Sequence, residues 1–388
     1  MKKFLSIVLA LNLFILISVP SFAKENEDTT EYAYVLVHGL GGWGEDSSIN
    51  NLSPYWGSKT GNLAEFLRTE GYEVFEASVG PFSSSWDRAC ELYAQLTGTT
   101  VDYGEAHSLA HNHNRFGKTY DTPVIEDWSD SHKVNLIGHS FGGATVRVFA
   151  HLMEYGAPEE VAVSGTNTSD FFTGNKGELV HSVVTLCSPH NGSSLYDILD
   201  KFPYLIKGLL TTVSLLDKSF GKTFINHFYN TGLYHFEKIG FASGTDNAGY
   251  ELSYKGATEL NNKTFLSKHS YYFSYATSCT SEFNNNYYPK ENTFALLVLP
   301  ATLIGHYKHT TLSKENDGLV NLNSALFPFT DKYQNYNADN IESGIWNVMP
   351  ILEGHHGTII GMDGNTEEIH RFYLNLFKMI ENIESRWK

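Results

Sequence analysis

Val134-Asn135-Leu136-Ile137-Gly138-His139-Ser140-Phe141-Gly142-Gly143 is the stretch on which the reading of this chain turns. Val134 to Ile137 is a short apolar run with strand propensity that stops at Gly138. After Gly142 and Gly143, the apolar residues Ala144, Val146, Val148, Phe149 and Leu152 recur at helical spacing. The stretch therefore predicts strand, one-residue corner and helix. In the G-x-S-x-G pattern the corner residue, Ser140, takes strained φ/ψ, and a Cβ at either flanking glycine would meet the adjoining strand or helix. The strain lifts the Ser140 hydroxyl above the sheet. The Phe141 N–H, at the helix N-terminus, is then a candidate donor to a developing oxyanion. Taken alone the pattern is also that of a plain glycine-rich turn with an exposed serine; the flanking strand and helix favour a nucleophile.

The segments around it extend the same pattern. Tyr34 to Val37 reads as an early strand that breaks into His38-Gly39-Leu40-Gly41-Gly42-Trp43-Gly44, a glycine-dense loop where a second oxyanion amide belongs, with Leu40 N–H as candidate and His38 orienting the loop. Leu63 to Arg68 reads as a helix, Tyr72 to Ala77, Val180 to Cys187 and Tyr271 to Ala276 as strands, and Glu367 to Ile383 as a closing helix. Residues 81–125 are long polar stretches with glycines and three histidines, an insertion unable to build its own core. Residues 195–245 carry Leu195, Ile198, Leu199, Leu205, Ile206 and Leu209 among the breaks Pro203 and Gly208, which fits two or three amphipathic helices. These are either peripheral helices or a movable cap over the nucleophile. The expected architecture is one α/β domain over 24–388 with a mostly parallel central sheet, an insertion and a helical cap.

Lys2 and Lys3, the apolar run Phe4 to Val19 and Ser21-Phe22-Ala23 read as a secretory signal over 1–23, cleaved near Ala23, so an exported protein is expected. The net charge of −16 disfavours phosphate backbones and anionic head groups, and with them nucleic acid, as partners. Aromatic residues make up 14% of the chain, which suits apolar ligands. Three cysteines allow at most one disulfide; buried free thiols are expected instead.

A serine nucleophile needs a base, and the base an orienting acid, which follow in the order serine, acid, histidine. Asp317, in Glu315-Asn316-Asp317-Gly318, is the best acid, although N-D-G alone is a turn sequence. His355 and His356 are both candidate bases, and spacing does not choose between them.

His38-Gly39-Leu40-x-Gly42-Trp43-Gly44, Val79-Gly80-Pro81, Ser84-x-Trp86-Asp87-Arg88-Ala89-Cys90-Glu91, Val101-Asp102-Tyr103-Gly104, Arg115-Phe116-Gly117 and Ser188-Pro189-His190-x-Gly192 together resemble the zinc-containing true lipases of the thermoalkalophilic Bacillus and staphylococcal type. The resemblance implies an α/β-hydrolase fold and hydrolysis of esters of apolar acyl groups: triacylglycerols, short- to medium-chain esters or aliphatic polyesters. It assigns Ser140 as nucleophile, Asp317 as acid, His356 as base, and Leu40 and Phe141 as oxyanion amides. It further implies a structural zinc held by Asp87, His107, His113 and Asp246, with His111 a bystander. Two carboxylates and two neutral imidazoles suit a closed tetrahedral zinc. Some relatives also bind calcium; Asp363 matches one ligand, but Thr358 stands where a glutamate would be, which leaves calcium bound by fewer charges or not at all. The segment from Ser194 to Asp246 is shorter than in the thermoalkalophilic members, so a smaller cap and a more open site are expected. Lipid or another hydrophobic ester, met transiently at an interface by a monomer, is the implied partner. Two rival readings share the pattern: a serine peptidase, and a zinc-stabilised secreted binding protein without catalysis.

Overall fold

A computed structural model describes residues 31–201 and 244–385. The expected signal segment and most of the expected cap fall outside the described residues.

The sheet is built from buried apolar runs. Strands β1 (Glu31–Val37), β2 (Glu73–Ala77), β5 (His132–His139), β6 (Val180–Leu186), β7 (Tyr271–Tyr275), β11 (Tyr333–Asn335) and β12 (Trp346–Val348) form one seven-stranded sheet in the order β11-β12-β7-β6-β5-β1-β2. Every pairing in it is parallel. Successive side chains point to opposite faces, and β1 shows the result: Ala33, Val35 and Val37 enter one core while Tyr34 and Leu36 enter the other. Helices α2 (Ser85–Thr97) and α4 (Gly142–Tyr155) cover the first face; α1 (Leu63–Thr69) and the last helix, Thr366–Ser385, cover the second. A parallel sheet buried on both faces needs such apolar runs throughout. β5, carrying the corner, lies between β1 and β6, so the loops leaving the three strands converge at their carboxyl ends, where ligands of open α/β sheets bind. Outside this sheet, β9 (Thr280–Phe283) and β10 (Asn286–Pro289) form a hairpin, and β8 (Thr277–Ser278) pairs with β13 (Leu352–Glu353), just ahead of His355.

One part of the expected insertion is not peripheral. α2 places Ala89, Cys90, Leu92, Ala94 and Leu96 in the main core and packs along α4. The polar character that suggested an insertion belongs to the short hairpin β3 (Thr100–Asp102) and β4 (Phe116–Thr119), with the seven-residue α3 (Glu105–His111) between them. Cys90, Cys187 and Cys279 are buried free thiols.

Candidate active site

The corner is strained as the sequence predicted. Ser140 has φ +55, in the left-handed region that costs a residue with a Cβ about 1 kcal/mol or more. Its N–H donates to Leu186 O at 2.8 Å, which ties the bend to β6. A Cβ on Gly138 would run into the Gly142 carbonyl, and one on Gly142 into that of Val37. Phe141 is the N-cap residue of α4. Among the described residues neither its N–H nor that of Leu40 meets an acceptor.

The loop that carries Leu40 is held by His38 and by Arg88. His38 Nε2 accepts from Val79 N–H at 3.3 Å, so Nδ1 carries the proton and donates to Gly39 O at 2.9 Å. His38 thus orients the loop, as expected. Arg88 is fully buried: its Nη2 donates to His38 O, Nη1 to Gly80 O at 2.9 Å and Nε to Thr145 Oγ1 at 2.8 Å. Its guanidinium lies 5.2 Å from the centre of the Phe141 ring. Burial lowers its pKa to about 10, which leaves it charged at neutral pH, bonded to the carbonyl two residues before Leu40 and set over the Phe141 ring. Arg88 stands in a quoted motif, yet no spacing rule reveals this role.

Asp317 is 1% exposed. Its Oδ1 accepts the amides of Leu319 at 2.9 Å and Val320 at 2.8 Å, and its Oδ2 meets His356 Nδ1 at 2.8 Å. The turn reading of N-D-G and the acid reading therefore hold together: one oxygen caps the turn, the other is left for the histidine. Leu319 and Val320 form no strand, because their amides serve the carboxylate; an isolated bridge joins Asn316 to Asn321. His355 points elsewhere. Its Nδ1 accepts from Gly357 N–H at 3.1 Å and its Nε2 donates to Asp363 Oδ2 at 2.6 Å. Of the two adjacent histidines, His356 alone reaches Asp317. It also lies against the corner: its ring is 4.8 Å, centroid to centroid, from that of His139, the residue before Ser140. Cys187 Sγ lies within 4.8 Å of both Asp317 and His356, and burial pushes its thiol well up, so it stays protonated and inert.

Asp87, His107, His113 and Asp246 converge, with one ligand atom from each within 4.8 Å of the others. His107 Nε2 lies 3.2 Å from Asp87 Oδ1 and 3.3 Å from Asp246 Oδ1, and His113 Nε2 lies 3.4 Å from Asp246 Oδ2. Although so close, Asp87 Oδ1, His107 Nε2 and His113 Nε2 are buried with no hydrogen-bond partner among the described residues. His113 Nδ1 donates to Asn114 O at 2.9 Å, so its Nε2 presents a lone pair toward a carboxylate. A lone pair facing carboxylate oxygens in a part-buried cluster fits a bound cation, and a backbone carbonyl on the outer ring nitrogen, as at His113, is how metal-binding histidines are oriented. α3, which brings His107, is held by Glu160, whose buried carboxylate accepts the amides of Ala106 and His107 at 2.9 and 2.7 Å. His111 is outside the cluster. At the two expected calcium positions Thr358 supplies no charge, while Asp363 gives Oδ2 to His355 and keeps a buried Oδ1 with no hydrogen-bond partner among the described residues.

A family model described as "Lipase-like, C-terminal domain" matches residues 30–385. Lipase 1 of Staphylococcus aureus (strain Mu50 / ATCC 700699) is 33% identical over 380 aligned residues, covering 91% of this chain and 55% of that protein. The chain spans about half the length of the curated relatives it matches. Among solved structures, Staphylococcus hyicus lipase is similar with a TM-score of 0.77 at 30% identity, over 93% of this chain and 98% of that one. EstA from Clostridium botulinum matches with a TM-score of 0.78 at 32% identity, over 91% and 88%.

Proposed function

Since the chain belongs to the lipase-like C-terminal-domain family and has the α/β-hydrolase fold of its relatives, we propose that it is an exported serine hydrolase cleaving esters of apolar acyl groups. The observation that carries this reading is the buried Asp317–His356 pair set beside a serine on a strained corner. Ser140 Oγ attacks the ester carbonyl as His356 Nε2 takes its proton. Asp317 Oδ2, bonded to Nδ1, holds the tautomer and stabilises the imidazolium. The amides of Leu40 and Phe141 bind the oxyanion, with the Arg88 charge behind them. His356 then protonates the departing alcohol and draws a proton from the water that releases the acid.

Asp87, His107, His113 and Asp246 would hold a zinc ion, which supplies a closed structural clip and no reaction step. The four ligands would thereby tie the polar α3 and the loop after it to the core helix α2 and to the chain at Asp246. The N-terminal segment is read as an export signal, and residues 195–245 as a short cap that leaves a site open to bulky acyl chains and polyesters.

Turnover of p-nitrophenyl butyrate, a palmitate ester and a peptide amide by wild type and Ser140→Ala tests the reading. Both esters should be hydrolysed, the amide left intact, and turnover lost in Ser140→Ala. Ester hydrolysis surviving that substitution would refute the mechanism, and amide cleavage would favour a peptidase.

A further inference from the structure

The residue inside the G-x-S-x-G corner, His139, has no part in that chemistry, yet it is 2% exposed and fully hydrogen-bonded. Its Nε2 meets His356 O at 2.9 Å. A carbonyl oxygen only accepts, so Nε2 carries the proton. Nδ1 is then a lone pair, and the Tyr55 hydroxyl, 2.7 Å away, donates to it. The Tyr55 oxygen in turn accepts Gly39 N–H at 2.9 Å. Every hydrogen in the series has one direction: Gly39 N–H to Tyr55 Oη, Tyr55 O–H to His139 Nδ1, His139 Nε2–H to His356 O. Burial keeps the imidazole neutral and the phenol protonated, so neither end of the series can reverse.

The three loops it joins each carry one working part of the site. Gly39 precedes Leu40, His139 precedes Ser140, and the carbonyl belongs to His356. β1 and β5 are paired only as far as Val37 and Gly138, and His356 lies on the loop after β13, so beyond the strand ends the three parts are joined by side chains. Tyr55 itself sits on the loop between β1 and α1, packed against Trp43 and Trp56 with ring centres 5.7 and 5.6 Å away. Gly39 has no side chain because one would strike Ser140 Cβ and the Tyr55 hydroxyl, so the phenol lies directly against the oxyanion loop.

We propose that Tyr55 and His139 are positioning residues that lock the spacing between oxyanion amide, nucleophile and base through one directed hydrogen-bond series. This rests on the ester-hydrolase reading above. A series of this kind acts on the geometry of the transition state, not on substrate affinity, so its loss is read in kcat with KM little changed. Misplacement by about 1 Å is enough to cost ~100-fold.

The test measures kcat and KM for p-nitrophenyl butyrate with Tyr55→Phe, His139→Gln, His139→Leu and the double variant Tyr55→Phe/His139→Leu, well below their melting temperatures. Tyr55→Phe should lower kcat about 10-fold and His139→Leu about 100-fold, with KM within about twofold. Glutamine reaches the place of Nε2 with an N–H donor, so His139→Gln should recover most of what leucine loses. Because the bonds form one series, the double variant should be no worse than His139→Leu, a non-additivity that independent packing defects do not give. Wild-type kcat in Tyr55→Phe, multiplicative losses in the double variant, or glutamine as poor as leucine would each overturn the proposal. Ser140→Ala in the same assay separates the two levels. If it keeps ester turnover, the hydrolase reading fails; if it is dead while Tyr55→Phe is unimpaired, only this inference fails.

Discussion

Asp317→Asn isolates the role of one oxygen. In the native site Oδ1 faces two amide donors, Leu319 and Val320 N–H, and Oδ2 faces His356 Nδ1. An asparagine must place its single oxygen toward the two amides, because its NH2 there would set donors against donors. The NH2 is left facing Nδ1. His356 then keeps a lone pair on Nδ1 and carries its proton on Nε2, the atom that must accept from Ser140. The loop itself is retained, since His356 N–H still donates to the Asp317 backbone oxygen at 2.8 Å. The expected loss is therefore catalytic and not structural: about 10⁴-fold in kcat, or ~5 kcal/mol of transition-state stabilisation, as for the equivalent change in serine proteases. KM should change little and the melting temperature should fall by no more than a few degrees. The assay is steady-state hydrolysis of p-nitrophenyl butyrate, with intact mass confirming that the asparagine has not deamidated. A confirmed Asp317→Asn enzyme within about tenfold of wild type would refute the tautomer argument and the assignment of Asp317 with it.

Two further outcomes concern groups away from the reacting atoms. Removing metal with a chelator, or substituting His113→Ala, should release one zinc per chain and lower the melting temperature by roughly 10 °C, reversed by zinc for the native protein only; at about 2 °C per kcal/mol for a chain this size, that is some 5 kcal/mol. An unchanged melting temperature with no metal found would discard the site. Glu76, 3% exposed with Oε1 unpartnered, has its carboxyl pushed up to about 7 by burial, above its ordinary value of 4.5. The folded state holds that proton more tightly, so this group's contribution is complete below pH 4.5 and is lost as pH rises through 7. Glu76→Gln, which keeps an acceptor for Asn50, should match wild type in unfolding free energy at pH 4.5 and exceed it by roughly 3 kcal/mol at pH 8; equal stability at pH 8 would contradict the assigned burial cost.

Legibility in the sequence tracks the range of the forces involved. The corner was legible because much of its constraint is local: φ at one serine and the clash of a Cβ on Gly138 with Gly142, four residues on. The central strands were legible because burial on both faces leaves unbroken apolar runs, as in Val180–Leu186. β11, Tyr333-Gln334-Asn335, is a three-residue edge strand with little burial and leaves no such trace. α2 was obscured for another reason. Its core face has Leu92 and Leu96 but is otherwise built from Ala89, Cys90, Ala94 and the buried Arg88, small or charged residues that register as polar or neutral although they are buried. Tyr55 and His139 are separated by 84 positions, and His139 from His356 by 217, so neither contact has a spacing to search for.

The pair His355-His356 shows where pattern stops and geometry is needed. Both histidines are buried, and each finds an aspartate: His356 meets Asp317, 39 positions earlier, and His355 meets Asp363, eight later. By composition the two pairings are the same. They differ in what stands on the far side of the ring. His355 Nδ1 is spent on Gly357 N–H, inside its own loop, so its two nitrogens are both committed to holding the chain. His356 gives Nδ1 to Asp317 and, among the described residues, leaves Nε2 without a hydrogen bond, beside the corner that carries Ser140. On the proposed mechanism a base is distinguished from a brace by its uncommitted nitrogen, and that commitment is decided by which loops the parallel sheet brings to its carboxyl edge.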